Sequence, residues 1–181
     1  QEAELVKALA EAPGLALTAL ALEPRIEKLA PSLSRASDVL YLGRSTNYPL
    51  ALEGALKLKE LSYIHAEGYA AGELKHGPIA LIDENLPVIV IAPHDSVYEK
   101  TVSNMQEVAA RGGRILLITD AAGAEASGLT DKDRVIMPAV ADIVAPIVYS
   151  IPIQMIAYHT AVFMGTDVDQ PRNLAKSVTV E

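Results

Sequence analysis

The sequence predicts one α/β domain of three layers, with helices on both faces of a central parallel sheet. Short apolar runs alternate with longer helical segments, which is the pattern of repeated β–α–β units. The short runs are apolar at successive positions, as expected of strands that are buried on both faces. A length of 181 residues is sufficient for one domain with a substantial core, so we expect residues 1–181 to form a single domain.

Four segments have the composition of buried strands. Each is rich in Val, Ile or Leu and precedes Gly, Pro or Asp, which favour turns. These predicted strands span residues 38–42, 86–92, 114–119 and 133–137. The predicted helices span residues 2–34, with breaks near Pro13 and Pro31, and residues 49–64, 97–111 and 143–165. Residues 66–78 and a polar C-terminal tail, residues 165–181, are predicted to be irregular.

The composition excludes several classes of function. The net charge is −8, with 15 Lys and Arg against 23 Asp and Glu. This balance disfavours binding to nucleic acid or to an anionic membrane over a large surface. The absence of cysteine removes disulfides, thiol catalysis and iron–sulfur clusters, and it fits the reducing cytoplasm. His residues lack partners at metal-ligand spacing, so we expect no metal site.

Residues 143–165 contain no Asp, Glu, Lys or Arg and are long enough to span a bilayer. Pro146, Pro152 and Gln154 interrupt the segment, and no basic cluster flanks it. We therefore expect a helix buried within the domain or at a subunit interface, and no membrane span. The chain begins at Gln1 without a signal peptide, so we also expect it to be cut from a longer protein.

Two segments follow strands at the sheet edge where open parallel sheets bind ligands, namely residues 43–47 and 120–128. The first leads into a helix, and its backbone N–H groups and hydroxyls could hold an anion. The alternative is that Ser45, Thr46 or Asn47 caps the helix.

Glu53, Lys57 and Glu60 are spaced by four and three positions, which places them along one face of a helix. They could form an ion-pair ladder on a solvated face, or a carboxylate and an ammonium in a cleft that transfers protons. His76 lies in a glycine-rich loop. It could form a structural hydrogen bond or act in catalysis.

Several motifs together resemble the sugar isomerase (SIS) domain, a flavodoxin-like fold. They are residues 53–60 (EGALKLKE), 66–69 (AEGY) and 72–78 (GELKHGP). The tail, residues 167–181 (DVDQPRNLAKSVTVE), narrows the resemblance to the second SIS domain of the glutamine–fructose-6-phosphate aminotransferases. The resemblance covers essentially the whole chain. It implies that a glutaminase domain and a first SIS domain, which holds most of the sugar phosphate, are missing here.

The resemblance also implies site residues. Glu60 matches the glutamate that moves a proton between C1 and C2 of the open-chain sugar. Lys176 matches the lysine at C2, and His76 matches the histidine that opens the furanose ring from the neighbouring subunit. Glu53, Lys57 and Ala175 match positions that bind or support the substrate. The tail would then be a lid that delivers Lys176.

The implied activity converts fructose 6-phosphate and ammonia from glutamine into glucosamine 6-phosphate, without a metal or organic cofactor. We expect a homodimer, and we expect the isolated chain to be inactive. One alternative is a SIS-type glucosamine-6-phosphate deaminase, which shares the helix and loop motifs. Another is a non-catalytic SIS domain that senses sugar phosphates, which would not need Lys176.

Overall fold

A computed structural model describes residues 2–173 and contains a five-stranded parallel sheet between two layers of helices. The order of the strands is β2-β1-β3-β4-β5. The strands are β1 (Asp38–Gly43), β2 (His65–Ala70), β3 (Pro87–Ile91), β4 (Arg114–Asp120) and β5 (Arg134–Met137). The predicted three-layer fold class is therefore confirmed, and four of the five strands lie where the sequence predicted them.

The helices divide between the two faces of the sheet. They are α1 (Glu2–Leu20), α2 (Glu23–Glu27), α3 (Ala30–Leu33), α4 (Asn47–Ser62), α5 (Tyr98–Ala109), α6 (Ala121–Ala126) and α7 (Ala145–Met164). One core cluster joins α4 and α7 to Val39 and Tyr41 of β1. The other joins α5 to Leu40 and Leu42 of the same strand. Because successive side chains of β1 enter opposite cores, the strand is apolar at every position from Val39 to Leu42.

Helix α7 is the central helix of its layer. Among the described residues it is long and apolar enough to cross a membrane, with a mean hydropathy of 1.3. Helix α1 and residues Glu23–Leu33 are long and apolar enough only when they are taken together as one span, which is bent by 43°. In the structure α7 packs against α4 and against α1, α2 and α3, and half of it is buried there. Val148, Ile153 and Ile156 enter the core, which agrees with the prediction of a buried helix.

The predicted break at Pro13 is wrong, because α1 continues through it to Leu20. Ala12 and Ala19 lie on either side of the proline, and both belong to the core cluster that contains α7. Packing of both halves on α7 outweighs the single backbone hydrogen bond that proline removes. The break predicted near Pro31 is confirmed, since α3 begins at Ala30.

The prediction that residues 66–78 are irregular is wrong for their first part. Residues 65–70 form β2, an edge strand that pairs only with β1. His65 and Glu67 face partly outward, so the strand lacks the continuous apolar run of its neighbours. Gly68 is required there, because a Cβ would lie 2.7 Å from the Ala51 carbonyl oxygen of α4. Residues Ala71–His76 and Pro78–Leu81 then form short 3₁₀ helices.

A polar pair joins β2 to β1 at the start of both strands. Asp38 accepts hydrogen bonds from the Ser37 hydroxyl at 2.6 Å and from His65 Nδ1 at 2.8 Å. The Ser37 bond and then the His65 bond hold the pKa of Asp38 below its usual value. A carboxyl with a lowered pKa stabilises the fold above its unfolded pKa, and this contribution disappears as the pH falls through the folded pKa.

We therefore expect Asp38→Asn to weaken the pH dependence of stability below about pH 5, where the unfolded carboxyl begins to titrate. The measurement is the free energy of unfolding in urea at a series of pH values down to about pH 3. Asp142→Asn, at an exposed loop position, serves as the control. Equal pH slopes for wild type and Asp38→Asn would contradict the prediction.

Candidate functional site

Lys57 and Glu60 form an ion pair near the C-terminal end of α4. Lys57 Nζ lies 2.7 Å from Glu60 Oε2, and the side chains are 32% and 26% exposed. The hydrogen bond to Glu60 raises the pKa of Lys57, although partial burial opposes this shift. The opposite side of the helix is fixed by Ala51, Ala55 and Leu58 in the core. The pair is therefore held rigidly at a partly sheltered surface, and not on a fully solvated ladder.

Glu53 lies one to two turns before this pair on the same helix. Its Oε1 lies 3.4 Å from Gln154 Nε2 of α7, so the residue faces the neighbouring helix. Its negative charge contributes to the raised pKa of Lys57. The structure thus brings together three of the predicted site residues, Glu53, Lys57 and Glu60, as their spacing required.

An open cavity of about 350 Å³ lies beside Glu60. Its other walls are Lys59 and Tyr63 from the end of α4, and Arg172 and Asn173 from the chain beyond α7. The last described residues of the chain therefore lie next to the candidate proton-transfer group. Lys176 and Ala175, which were predicted as site residues, lie outside the described residues.

Three contacts hold the chain beside this cavity, one with Leu61 of α4 and two with Tyr63, which follows α4. The Thr166 hydroxyl donates to the Leu61 carbonyl oxygen at 2.7 Å. The Arg172 backbone N–H donates to the Tyr63 hydroxyl at 2.9 Å, and the Arg172 guanidinium lies 4.1 Å from the centroid of the Tyr63 ring. Residues 165–173 are the described part of the predicted tail, and we call them the C-terminal segment. These contacts give the segment a defined path along α4.

His76 lies in the opposite layer of the molecule. Leu74, in the same 3₁₀ helix, belongs to the core cluster that contains α5, whereas α4 belongs to the other cluster. The His76 side chain is 71% exposed, and its Nδ1 lies 2.7 Å from Glu73 Oε2. Within one chain the structure therefore does not bring His76 together with Glu60. An exposed imidazole of this kind is free to contact another molecule.

The carboxyl edge of the sheet differs from the sequence-based expectation. Ser45 and Thr46 line a cavity of about 120 Å³ between β1 and β3, where the strand order reverses. Asp95 and Asp142 also line it, and their charges disfavour an anion. The capping alternative is wrong, because among residues 2–173 no side chain forms a hydrogen bond that caps the N-terminus of α4. Asn47 instead donates from Nδ2 to Asp95 Oδ2 at 3.1 Å.

No group of three His, Asp or Glu side chains is arranged to hold a metal ion within residues 2–173. His65 has two acidic neighbours, with Nδ1 2.8 Å from Asp38 Oδ1 and Nε2 3.7 Å from Glu67 Oε1. The second distance is longer than a hydrogen bond, and the arrangement is that of a cross-strand ion pair on the sheet edge.

Sequence reasoning did not identify Tyr63 or Arg172 as part of the site. Tyr63 follows α4 directly, and Arg172 lies 109 positions later in the chain. Only the fold brings them together, and neither belongs to a motif with its own spacing. The available signal was weak: an aromatic residue occupies a helix end where glycine is usual.

The comparisons with known proteins agree with this architecture. The sequence model of the SIS domain family matches residues 32–164. The chain is 71% identical over 181 residues to a glutamine–fructose-6-phosphate aminotransferase (isomerizing) of Mesorhizobium japonicum, covering 100% of this chain and 30% of that protein. A protein of the same name from Agrobacterium fabrum is 69% identical over 182 residues, with the same shares covered. The chain thus spans about 30% of the length of these curated relatives.

Two solved structures are similar to this one. The C-terminal domain of the glucosamine-fructose-6-phosphate aminotransferase from Francisella tularensis matches with a TM-score of 0.91 at 45% identity, over 94% of this chain and 48% of that chain. A glucosamine-6-phosphate deaminase from Thermotoga maritima matches with a TM-score of 0.71 at 20% identity, over 99% of this chain and 50% of that chain. The second similarity is one of fold alone.

Proposed function

The chain belongs to the SIS domain family, and we propose that it is the C-terminal part of the isomerase region of a glutamine–fructose-6-phosphate aminotransferase. The identity of 71% to one such enzyme over the full chain supports this proposal, as does the 30% share of that enzyme which the chain covers. The proposed reaction forms glucosamine 6-phosphate from fructose 6-phosphate and glutamine-derived ammonia. The deaminase and sensor alternatives have no comparable support, since the sequence identity to the deaminase structure is only 20%.

The observation that carries the proposal is the cavity shared by Glu60 and the C-terminal segment. Glu60 is an accessible carboxylate held by Lys57. Lys57 Nζ lies 2.7 Å from Glu60 Oε2 and orients this carboxyl group, and an ionised carboxyl is the form that accepts a proton. Asn173 lines the same cavity, and Lys176 follows it by three positions, a length of chain that spans at most about 10 Å. The covalent path thus permits Lys176 to reach the sugar at Glu60.

In this mechanism ammonia condenses with the C2 carbonyl of the open-chain sugar, and water leaves. Glu60 removes the proton from C1 while the imine nitrogen gains one, which gives an enolamine. Glu60 then returns its proton to C2 as the O1 hydroxyl loses its own proton, which leaves an aldehyde at C1 and an amine at C2. Lys176 acts at C2 before the proton transfers: either it forms an imine there with loss of water, and ammonia then displaces the free lysine, or its ammonium stabilises the oxyanion that develops as ammonia adds. His76 opens the ring, and its exposure fits action across a subunit interface.

The remaining parts of the proposal concern the assembly. Residues 1–181 form the second of two SIS domains, and the glutaminase and first SIS domains belong to the same longer chain. The enzyme is a cytoplasmic homodimer that binds neither nucleic acid nor membrane. Exposed apolar side chains of α1 and α7, such as Leu9, Leu17 and Phe163, offer surfaces for the missing domains or for the second subunit.

The test is a calorimetric titration of this chain with glucosamine 6-phosphate, together with an assay for its conversion to fructose 6-phosphate. We expect absent or millimolar binding and no turnover for the isolated chain, because the main phosphate contacts lie on the preceding SIS domain. The same chain joined to that domain is expected to bind and convert the sugar. Turnover by the isolated chain would overturn the division of the site, and no turnover by the joined chain would overturn the proposed activity.

A further inference from the structure

The backbone at Tyr63 has a conformation that is unfavourable for its side chain. Tyr63 ends α4 with φ 63° and ψ 9°, in the left-handed region, and its N–H donates to the Lys59 carbonyl oxygen. Glycine or asparagine normally occupies such a position, because a bulky side chain is strained there. Strain of this kind persists where the surrounding contacts compensate for it, and it concentrates at functional positions.

The compensating contacts of Tyr63 lie on the C-terminal segment. The hydroxyl accepts the Arg172 backbone N–H at 2.9 Å, while the ring face lies 4.1 Å from the Arg172 guanidinium carbon. The Tyr63 side chain therefore holds Arg172 by two different interactions, a hydrogen bond and a cation–π contact. Arg172 and Tyr63 also line the cavity that contains Glu60.

The segment approaches Tyr63 from a fixed starting point. Gly165 ends α7 with φ 74°, and the Thr166 N–H donates to the Ala161 carbonyl oxygen in the manner of a Schellman motif. The Thr166 hydroxyl contacts Leu61 two positions before Tyr63. The Asp167 side chain accepts the N–H groups of Asp169 and Gln170, which forms a turn. Thr166 thus fixes the beginning of the segment, and Tyr63 fixes its end.

We propose that Tyr63 is a positioning residue whose left-handed conformation and two contacts with Arg172 hold the C-terminal segment beside Glu60. The catalytic consequence rests on the proposed function, in which Lys176, three positions after Asn173, acts on the sugar. Without this anchor the described end of the chain would no longer be fixed beside Glu60. The anchor itself requires only the described residues and does not depend on the identity of the substrate.

The proposal is tested in this chain with Tyr63→Phe and Tyr63→Asn. Tyr63→Phe keeps the ring and loses the hydroxyl, so solvent exchange of the Arg172 amide, measured by NMR, should rise by roughly three- to tenfold, the worth of one hydrogen bond. Tyr63→Asn loses both contacts and relieves the strain. It should raise this exchange rate further and abolish the ring-current shifts of the Arg172 side chain, while the unfolding midpoint stays within roughly 2 °C of wild type.

Tyr158→Phe is the matched control, since it removes the hydroxyl of an exposed tyrosine on α7. An unchanged Arg172 exchange rate in both Tyr63 variants would overturn the proposal. So would a general acceleration of exchange across the sheet in Tyr63→Phe, because Tyr63 would then stabilise the whole fold. Neither outcome would bear on the proposed activity, which the sugar titration tests separately.

In the longer enzyme, the expected effect of Tyr63→Phe is a several-fold lower kcat with an unchanged KM for fructose 6-phosphate, because the phosphate contacts lie elsewhere. An unchanged kcat together with faster Arg172 exchange would overturn the catalytic part of the inference.

Discussion

Replacing Glu60 with glutamine is expected to lower the turnover of the proposed longer enzyme by roughly 10²–10⁴-fold, the usual contribution of a general acid–base group. Glutamine has nearly the same volume and can still accept a hydrogen bond from Lys57 Nζ, but it cannot take a proton from C1. The loss should appear in kcat at every pH. The free energy of unfolding should change by less than about 1 kcal/mol, because the ion pair is partly exposed.

The control for this prediction is Glu99→Gln, at an exposed position in the first turn of α5. It changes the net charge by the same amount far from the candidate site. Glu60→Gln with near wild-type turnover would mean that another group moves the proton. A fall of several kcal/mol in its unfolding free energy would instead mean that the Lys57–Glu60 pair is structural. Activity and stability therefore separate the two interpretations that the spacing of these residues left open.

The fold was predictable where both faces of a strand are buried. β1, β3 and β4 each supply side chains to two cores, so each contains an uninterrupted apolar run, at residues 39–42, 88–91 and 115–118. Among the described residues the edge strand β2 pairs with β1 alone. It contains a glycine and three titratable side chains, His65, Glu67 and Tyr69, and its pattern is that of a loop. Its strand conformation arises from pairing with β1 and from the contact with α4, which no local window of sequence contains.

Only part of the candidate site was predictable from the sequence. Glu53, Lys57 and Glu60 share a helix face because of their spacing alone. His76 was predicted by motif, but its place in the opposite layer follows from the connection between β2 and β3, which runs over the α5 face of the sheet. The anchor between Tyr63 and Arg172 joins residues 109 positions apart, so only the packing of α4 against α7 creates it.

The position of α4, which carries the candidate site, depends on Gly43 at the end of β1. A Cβ at this residue would lie 2.1 Å from the Asn47 carbonyl oxygen and 2.5 Å from the Asn47 carbonyl carbon. Both are backbone atoms of the first turn of α4, so they cannot rotate away as a side chain would. Even alanine at this position must push the start of the helix away from the sheet.

We expect Gly43→Ala to lower the free energy of unfolding by roughly 3 kcal/mol, at the upper end of what overpacking costs, and the melting temperature by about 10 °C. Gly14→Ala in α1 is the matched control, because a Cβ there meets nothing within 4 Å. It should raise stability by about 0.5–1 kcal/mol through the better helix propensity of alanine. Equal stability of Gly43→Ala and wild type would mean that α4 is seated farther from β1 than the structure has it. Since Lys57 and Glu60 move with α4, a displaced helix should also lower turnover in the longer enzyme.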